Sequence, residues 1–527
     1  MFSASLKKSF PYADTFAGTF GSLLLFGLFL YTKVLFYPFV HDEIVTIQHN
    51  PSLQQFNLRE IFLHSSISPS ANPLINVYYR PLLEVVYGIL FLFFGLKPFY
   101  FHAANVLLHI INSFLVYVLG RQIEKSQGWA FLVAILFLIH PIQTEAVACI
   151  SGMSNVLYVF FCLIGLNIFI TIQREQKYQW GWMIPVVFLL GLMVKEQTIV
   201  LPFLMMGFLF LFPDEHKEKR KLWWIILSPF LILIAYFIVR KYVLGIAWYT
   251  SLSWNEEFVL RMKAIGHTLM TYIRLIFWPS DLHYYRTTDI LKSGTGAWLL
   301  LGLISAALIF VIRKMAGQSK RLVLFGLAWF LIALLPTLNI IPLVAEYSSI
   351  LAAEHFAYFA LIGFLLAMAE IGQYYLSSSR KITLTVIGII IISCSFITFG
   401  QNKVWSSEIA LFERTVKYEK LGRVYSLLGR AYYAQGEFNQ AAKANEEALS
   451  NMYGYYEKVI DKGAKSFYLM FVKGVTLDLA RSYEMQREPD RAQGILREAA
   501  ELDSQDSDFQ NMVDDISREI EIKRGRL

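Results

Sequence analysis

The stretch FLVAILFLIHPIQTEAVACISGMSNVLYVFFCLIGLNIFITIQR, residues 131–174, decides the fold class. Two apolar runs flank a short polar motif, HPIQTE at residues 140–145, and neither run alternates polar with apolar residues as a half-buried strand would. With the residues just before it, each run approaches the ~20 residues that carry an α-helix across a ~30 Å hydrocarbon core. Backbone amides in lipid have no water to bond, so a single lipid-facing segment has to be helical. The stretch reads as a membrane hairpin, 128–147 with 151–173, that has a polar tip.

Outward from that hairpin, apolar runs recur from Phe16 to Gly400. Of the 527 residues 56% are hydrophobic and 17% charged, against roughly 25% charged in soluble domains. With a mean hydropathy of +0.47, this is a membrane composition. The net charge of +7 does not indicate a nucleic-acid partner, because Lys and Arg sit in short loops between apolar segments, where membrane insertion places them. Cys149, Cys162 and Cys394 lie in or beside apolar runs without CxxC or Cys/His spacing and read as packing residues. Lys7 and Lys8 precede an apolar run that reaches Pro38 with no small-residue cleavage site, so an uncleaved first span is expected.

Basic clusters at Lys7-Lys8, Arg121 to Lys125, Arg174 to Lys177, His216 to Lys221, Arg313 to Arg321 and Arg380-Lys381 set the orientation. If all are cytoplasmic, an even number of crossings separates neighbours, and the hairpins 128–147 with 151–173, 180–195 with 198–213, 222–243 with 295–313 and 321–341 with 351–372 satisfy this. Adding the first span, 99–121 and 380–399 predicts about eleven crossings, with 81–96 and 258–279 as helices at the outer interface. The chain after residue 400 then emerges on the non-cytoplasmic side of a bacterial, archaeal or endoplasmic-reticulum membrane. His41-Asp42-Glu43, Tyr79-Arg80, His140 to Glu145, Lys195-Glu196, His283 to Arg286 and Glu354-His355 were not used to orient the chain, and all fall on that same side. Ionisable groups at membrane level are costly and are kept where they line a cavity and act.

From Trp405 the sequence turns amphipathic. Tyr425, Leu428, Gly429, Tyr432, Gly436, Ala441 and Ala448 fit the helix-turn-helix spacing of a tetratricopeptide repeat. Leu479, Ala480, Tyr483, Ala492, Ala499 and Leu502 form a second match, with Ala480 standing 51 positions after Gly429. The ordinary period is about 34 residues, so an insertion is expected within 451–470. The chain divides into a membrane domain, 1–400, with outer loops at 41–79 and 244–294, and a soluble helical domain, 401–527, suited to docking a polypeptide.

The motifs FVHDE (39–43), YYRPL (78–82), FHAANVLLH (101–109), HPIQTEAVACISG (140–152), VKEQTIVLP (194–202), NIIPL (339–343) and AEHFAYFALIGF (353–364), followed by tetratricopeptide-like helices, resemble the transmembrane and tetratricopeptide-repeat protein O-mannosyltransferases and their prokaryotic relatives. The resemblance implies an all-α GT-C membrane fold and a polyprenyl- or dolichyl-phosphate sugar donor. It also implies inverting transfer, with mannose as one sugar, to a hydroxyl of an exported protein. Such a transfer needs a base at the acceptor and cations at the leaving phosphate. Carried onto this chain, Asp42 is the candidate base and Glu43 orients it or shares the role. Arg80, Lys195, Arg286 and His355 are the candidate donor-phosphate contacts, and His140, Thr144, Glu145, Glu196, Gln197 and Glu354 the candidate substrate pocket.

Two departures bear on that assignment. His355 stands where the family pattern has Arg, and Met153 and Asn155 stand where it has Arg and Asp. His102, Asn105 and His109 share a helix face and read as an intramembrane hydrogen-bonding set. No zinc spacing is present, and Arg and Lys can stabilise a phosphate leaving group, so no obligatory metal is expected, with a divalent ion left open. Transfer to a lipid or a cell-surface glycan is the alternative activity. A transporter would show internal repeats and mid-span charges, which the membrane part lacks. A non-catalytic scaffold would leave Asp42, Arg80 and Lys195 without a purpose.

Overall fold

The structure, a computed structural model, describes residues 13–63, 79–123, 125–213, 219–244, 256–284, 286, 296–338, 352–376, 380–456 and 462–524. The NIIPL motif, Lys7-Lys8 and parts of both expected outer loops, 64–78 in the first and 245–255, 285 and 287–294 in the second, lie outside the described residues. Among the described residues every regular element is helical. The chain is a polytopic helical membrane protein, and it separates into two compact units. The first comprises 1–282, 287–346 and 350–406, and the second 283–286, 347–349 and 407–527.

Among the described residues of the first unit, seven helices are long and apolar enough to cross a bilayer, or eight if the bent pair Gln127–Ile139 and Pro141–Ala148 counts as one span. About eleven crossings were expected, and the difference lies in shorter elements. The apolar segments Tyr178–Leu192 and Glu196–Leu211 fall short of the ~20 residues of a full span. The chain breaks between them at Lys195, which is extended. Pro81–Phe94 is helical as expected and is also short.

The helices Pro98–Gln122 and Met153–Glu175 form the buried middle of this unit. Gly317–Leu334 crosses Ala357–Leu376 at Gly326 and Gly363, where a Cβ on either glycine would meet the other's carbonyl oxygen at 2.5 or 2.6 Å. With no hydrophobic drive between helices in lipid, close backbone approach at small residues supplies the packing. Leu299, Leu303, Ile392 and Phe396, on Gly296–Arg313 and Arg380–Asn402, are exposed and suit contact with acyl chains. Asn402 donates to the Leu30 carbonyl and Thr398 to that of Ile139, which ties the last helix to the ends of earlier ones.

In the second unit the helices Gly422–Ala434 and Phe438–Tyr456 form one hairpin, and Lys462–Met485 and Pro489–Leu502 another. The 51-residue offset holds at the turns. Gly436 (φ 78°) and Arg487 (φ 62°) are both left-handed, and the following amides of Glu437 and Glu488 donate to Tyr432 and Tyr483 at 2.9 and 3.0 Å. The expected insertion is taken up largely as extra turns at the end of Phe438–Tyr456 and the start of Lys462–Met485. A final helix, Ser507–Arg524, covers the second hairpin through Phe509, Val513, Ile516 and Ile520.

Candidate active site

Adjacent carboxylates at the end of the first apolar run face opposite ways. His41 adopts φ 53°, a left-handed conformation that costs a non-glycine residue about 1–2 kcal/mol. Past this kink the Asp42 side chain is 57% exposed, with His41 Nε2 3.2 Å from its Oδ1, while Glu43 is fully buried. Glu43 Oε2 accepts from the Val40 amide at 2.8 Å and Oε1 from the Ile150 amide at 2.5 Å. Burial raises the Glu43 carboxyl to about 7, against the amide donors, which pull it down. Tyr87, from the Pro81–Phe94 helix, donates to the Ile150 carbonyl at 2.8 Å. Glu43 and Tyr87 therefore fasten the FVHDE segment and the helix after Arg80 to one turn, residues 149–151.

Lys195 is buried, with Nζ 2.5 Å from Asn155 Oδ1 and 5.9 and 5.5 Å from the ring centres of Tyr158 and Phe356. Arg80, Glu196 and Glu145 lie within electrostatic reach of it. Both acids already hold a cationic or donor partner. Arg240 Nη1 is 3.0 Å from Glu196 Oε1, and the two Glu145 oxygens meet His355 Nδ1 and the His355 amide, each at 2.9 Å. The nearest oxygen to the ammonium belongs to a neutral amide at a position where the family pattern has an acid.

The HPIQTE motif makes a bend. His140 precedes proline and is held extended (ψ 128°), Ile142 N donates to its Nδ1 at 3.2 Å, and its Nε2 lies 3.0 Å from the Ile276 carbonyl. Thr144 Oγ1 donates to Pro141 O at 2.7 Å, and the two helices meet at 51°. His140 and Thr144 thus spend polar atoms on the backbone, and of this motif Glu145 joins the charged cluster. Asn105 Nδ2, with two N–H groups to share, lies 3.0, 2.9 and 3.1 Å from the carbonyl oxygens of Ala146, Val147 and Cys149 at a helix end. His109 joins Tyr358 at 2.8 Å and the Leu138 carbonyl at 3.0 Å, in keeping with the hydrogen-bonding reading of that face.

Glu354 is buried in the turn before Ala357–Leu376, and Gln197 is buried with no hydrogen bond to its side-chain oxygen. Arg286 groups with the second unit, where neighbouring His283 stacks on Tyr418 at 4.9 Å. Arg240 was not anticipated from sequence. Its signal was a basic pair, Arg240-Lys241, at the end of an apolar run that the parity argument places on the outer side. Among the described residues no three His, Cys, Asp or Glu side chains converge in a metal-binding arrangement.

The chain is 38% identical over 141 residues to protein O-mannosyl-transferase TMTC1 of Mus musculus, a match covering 26% of this chain and 15% of the relative. A longer match, 26% identical over 412 residues, joins it to protein O-mannosyl-transferase F38B6.6 of Caenorhabditis elegans and covers 74% of this chain and 56% of that one. Its curated relatives are protein O-mannosyl-transferases. TMTC3 of Mus musculus matches at 23% identity over 456 residues, 78% of this chain and 49% of its own. The chain therefore spans about half the length of the relatives it matches most extensively, and a much smaller share of TMTC1. No family model matches the chain, and no solved structure matches it.

Proposed function

We propose that this chain is a GT-C-type glycosyltransferase that moves a sugar from a polyprenyl-phosphate carrier to a hydroxyl of an exported protein on the non-cytoplasmic side. The observation that carries the reading is the buried Lys195 amine, whose nearest oxygen is a neutral amide and whose neighbouring acids are engaged by Arg240 and His355. An incoming anion would hold this amine protonated, and a lipid phosphate reaching the site from the bilayer is one. Arg80 would add a planar, bidentate donor and Lys195 a point charge.

In the reaction Asp42 takes the proton of the acceptor hydroxyl while that oxygen attacks the anomeric carbon from the face opposite the phosphate. The bond between the anomeric carbon and the phosphate oxygen breaks, its electrons leave with the lipid phosphate, and Arg80 and Lys195 stabilise the growing negative charge. Exposure of Asp42 suits access by a polypeptide, and Glu43 holds the segment that presents it. The names of the curated relatives favour a protein acceptor over a lipid or glycan.

The test is incubation of purified protein with a panel of polyprenyl-phosphate sugars and three acceptor classes, Ser/Thr peptides, lipids and glycans, with products read by mass spectrometry. A glycosylated peptide formed by wild type and absent with Asp42→Asn is the expected outcome. Product with lipid or glycan alone would overturn the acceptor assignment, and no product with any donor would overturn the activity.

A further inference from the structure

One apolar helix ends on a cation that points inward. Along Lys219–Ile238 the buried stripe runs through Leu222, Ile226, Leu233 and Tyr236, and the same helical spacing carries it on to Arg240, which is 3% exposed. Its neighbours Ile238, Val239, Lys241 and Tyr242 are exposed. A basic side chain at the end of a span ordinarily extends to the interface, and Lys241 does so while Arg240 does not. The backbone is unusual at the same place. Val239–Val243 is a single π-helical turn, closed by the Leu244 amide on the Val239 carbonyl at 3.0 Å. Such turns are rare and occur frequently at functional sites.

A buried guanidinium needs a partner, and Arg240 Nη1 finds Glu196 Oε1 at 3.0 Å. Glu196 directly follows Lys195 and lies within electrostatic reach of its amine. Arg240 and Lys195 are therefore rivals for one carboxylate, and Arg240 holds it. The same helix end also reaches the segment of Arg80. Tyr236, one turn before Arg240, packs its ring 6.1 Å from that of Tyr79, and the Leu82 amide donates to the Met193 carbonyl at 3.1 Å. That backbone bond ties the residues just after Arg80 to those just before Lys195. Tyr236 and Arg240 thus brace both segments that carry the phosphate contacts.

We propose that Arg240 is a positioning residue for the donor phosphate: by holding Glu196 it keeps that carboxylate off Lys195 and leaves the amine to be met by the incoming anion. The proposal rests on the glycosyltransferase reading for the identity of the anion. Without Arg240, Glu196 would be drawn to Lys195 as a tethered counter-ion and would compete with the phosphate. A plain structural clip would behave differently, since its loss lowers stability and leaves no reason for removal of Glu196 to restore binding.

The experiment uses the full chain in lipid nanodiscs and compares binding of undecaprenyl monophosphate with that of uncharged undecaprenol by native mass spectrometry. Wild type should prefer the phosphate. Arg240→Gln should lower phosphate affinity about fivefold or more and leave the alcohol unaffected. Adding Glu196→Gln to Arg240→Gln should bring phosphate affinity back to within about threefold of wild type, because the competing anion is gone. Lys195→Gln should weaken phosphate binding in wild type and add less than about twofold in Arg240→Gln, where Glu196 already occupies the amine. Arg240→Gln leaves a part-buried acid without its cation and can disturb folding, so the double variant, which removes both charges, keeps the test open. Affinity within about twofold of wild type in Arg240→Gln, or a loss of about tenfold in the double variant, would overturn the proposal. Arg240-dependent phosphate binding without sugar transfer from any donor would sink the glycosyltransferase reading alone. Sugar transfer with donor affinity independent of Arg240 would sink this assignment alone, and no preference of wild type for the phosphate over the alcohol would sink both.

Discussion

Two lysines, one in each unit, show how differently the same side chain is used. Lys473 reaches Asp503 and Asp506 at 2.6 and 2.8 Å and lies over the Phe509 ring at 5.0 Å. Partial burial pulls its pKa down, the two aspartates push it up, and the net direction is up. Two acids for one base at a half-open surface is a structural clip. Lys195 is buried deeper, contacts an amide and two aromatic faces, and sits among acids that Arg240 and His355 already hold. Removing an ion from water costs several kcal/mol in real proteins, and full pairing offsets that cost in the clip. In a buried place with incomplete compensation, a basic side chain is a candidate contact for the proposed donor phosphate.

Four substitutions break or sharpen this contrast. The largest effect belongs to Asp42→Asn, which keeps shape and cannot accept a proton. Transfer should fall ~10² to 10⁴-fold in single-turnover assays, with thermal unfolding in detergent unchanged because the side chain is exposed. Activity within about threefold of wild type would remove Asp42 from the chemistry. Next comes Lys195→Gln, which should weaken binding of a polyprenyl-phosphate sugar by about 1.5–3 kcal/mol, the worth of a charge-assisted hydrogen bond. An unchanged donor titration and turnover would return Lys195 to the same structural class as Lys473.

Glu43→Gln probes the buried carboxyl. Its folded value of about 7 lies above the ordinary 4.5, so the folded state holds the proton more tightly than the unfolded state. Its contribution to stability is full below about pH 4.5, declines as pH rises towards about 7, and is flat beyond. The variant should lose that slope. It should also be destabilised by about 1–3 kcal/mol, since a Gln amide nitrogen would face one of the amide donors now bonded to Glu43. Parallel melting profiles from pH 5 to 8 for the two proteins would refute the buried-carboxyl account. The smallest effect is that of Lys473→Ala, about 1 kcal/mol in thermal stability, diminished by salt, with glycosyl transfer intact.

Much of this was legible in the sequence because it depends on local rules. Apolar run length and basic loops mark the membrane helices whatever they pack against, and the Leu, Gly, Tyr and Ala spacing marks helical hairpins because small residues are needed where two helices cross. The break at Lys195 was legible too, since the hairpin 180–195 with 198–213 puts its turn there and the helices Tyr178–Leu192 and Glu196–Leu211 stop within a few residues of those bounds. Arg240 was not legible. A basic residue at the end of a span reads as a loop charge until a partner such as Glu196 is found 44 positions away in the chain.

By itself the sequence determined that this is a helical membrane protein with a repeated helical tail, and it singled out the residues worth following. The opposite facing of Asp42 and Glu43, the pairing of Glu145 with His355, and the neutral partner of Lys195 were decided by tertiary structure alone. Burial and hydrogen bonding are properties of what surrounds a side chain, and those surroundings come from segments as distant as Glu43 and Ile150, 107 positions apart. Asn445 makes the same point in the second unit, where only the fold shows that this polar residue is buried and that its Oδ1 has no hydrogen-bond partner.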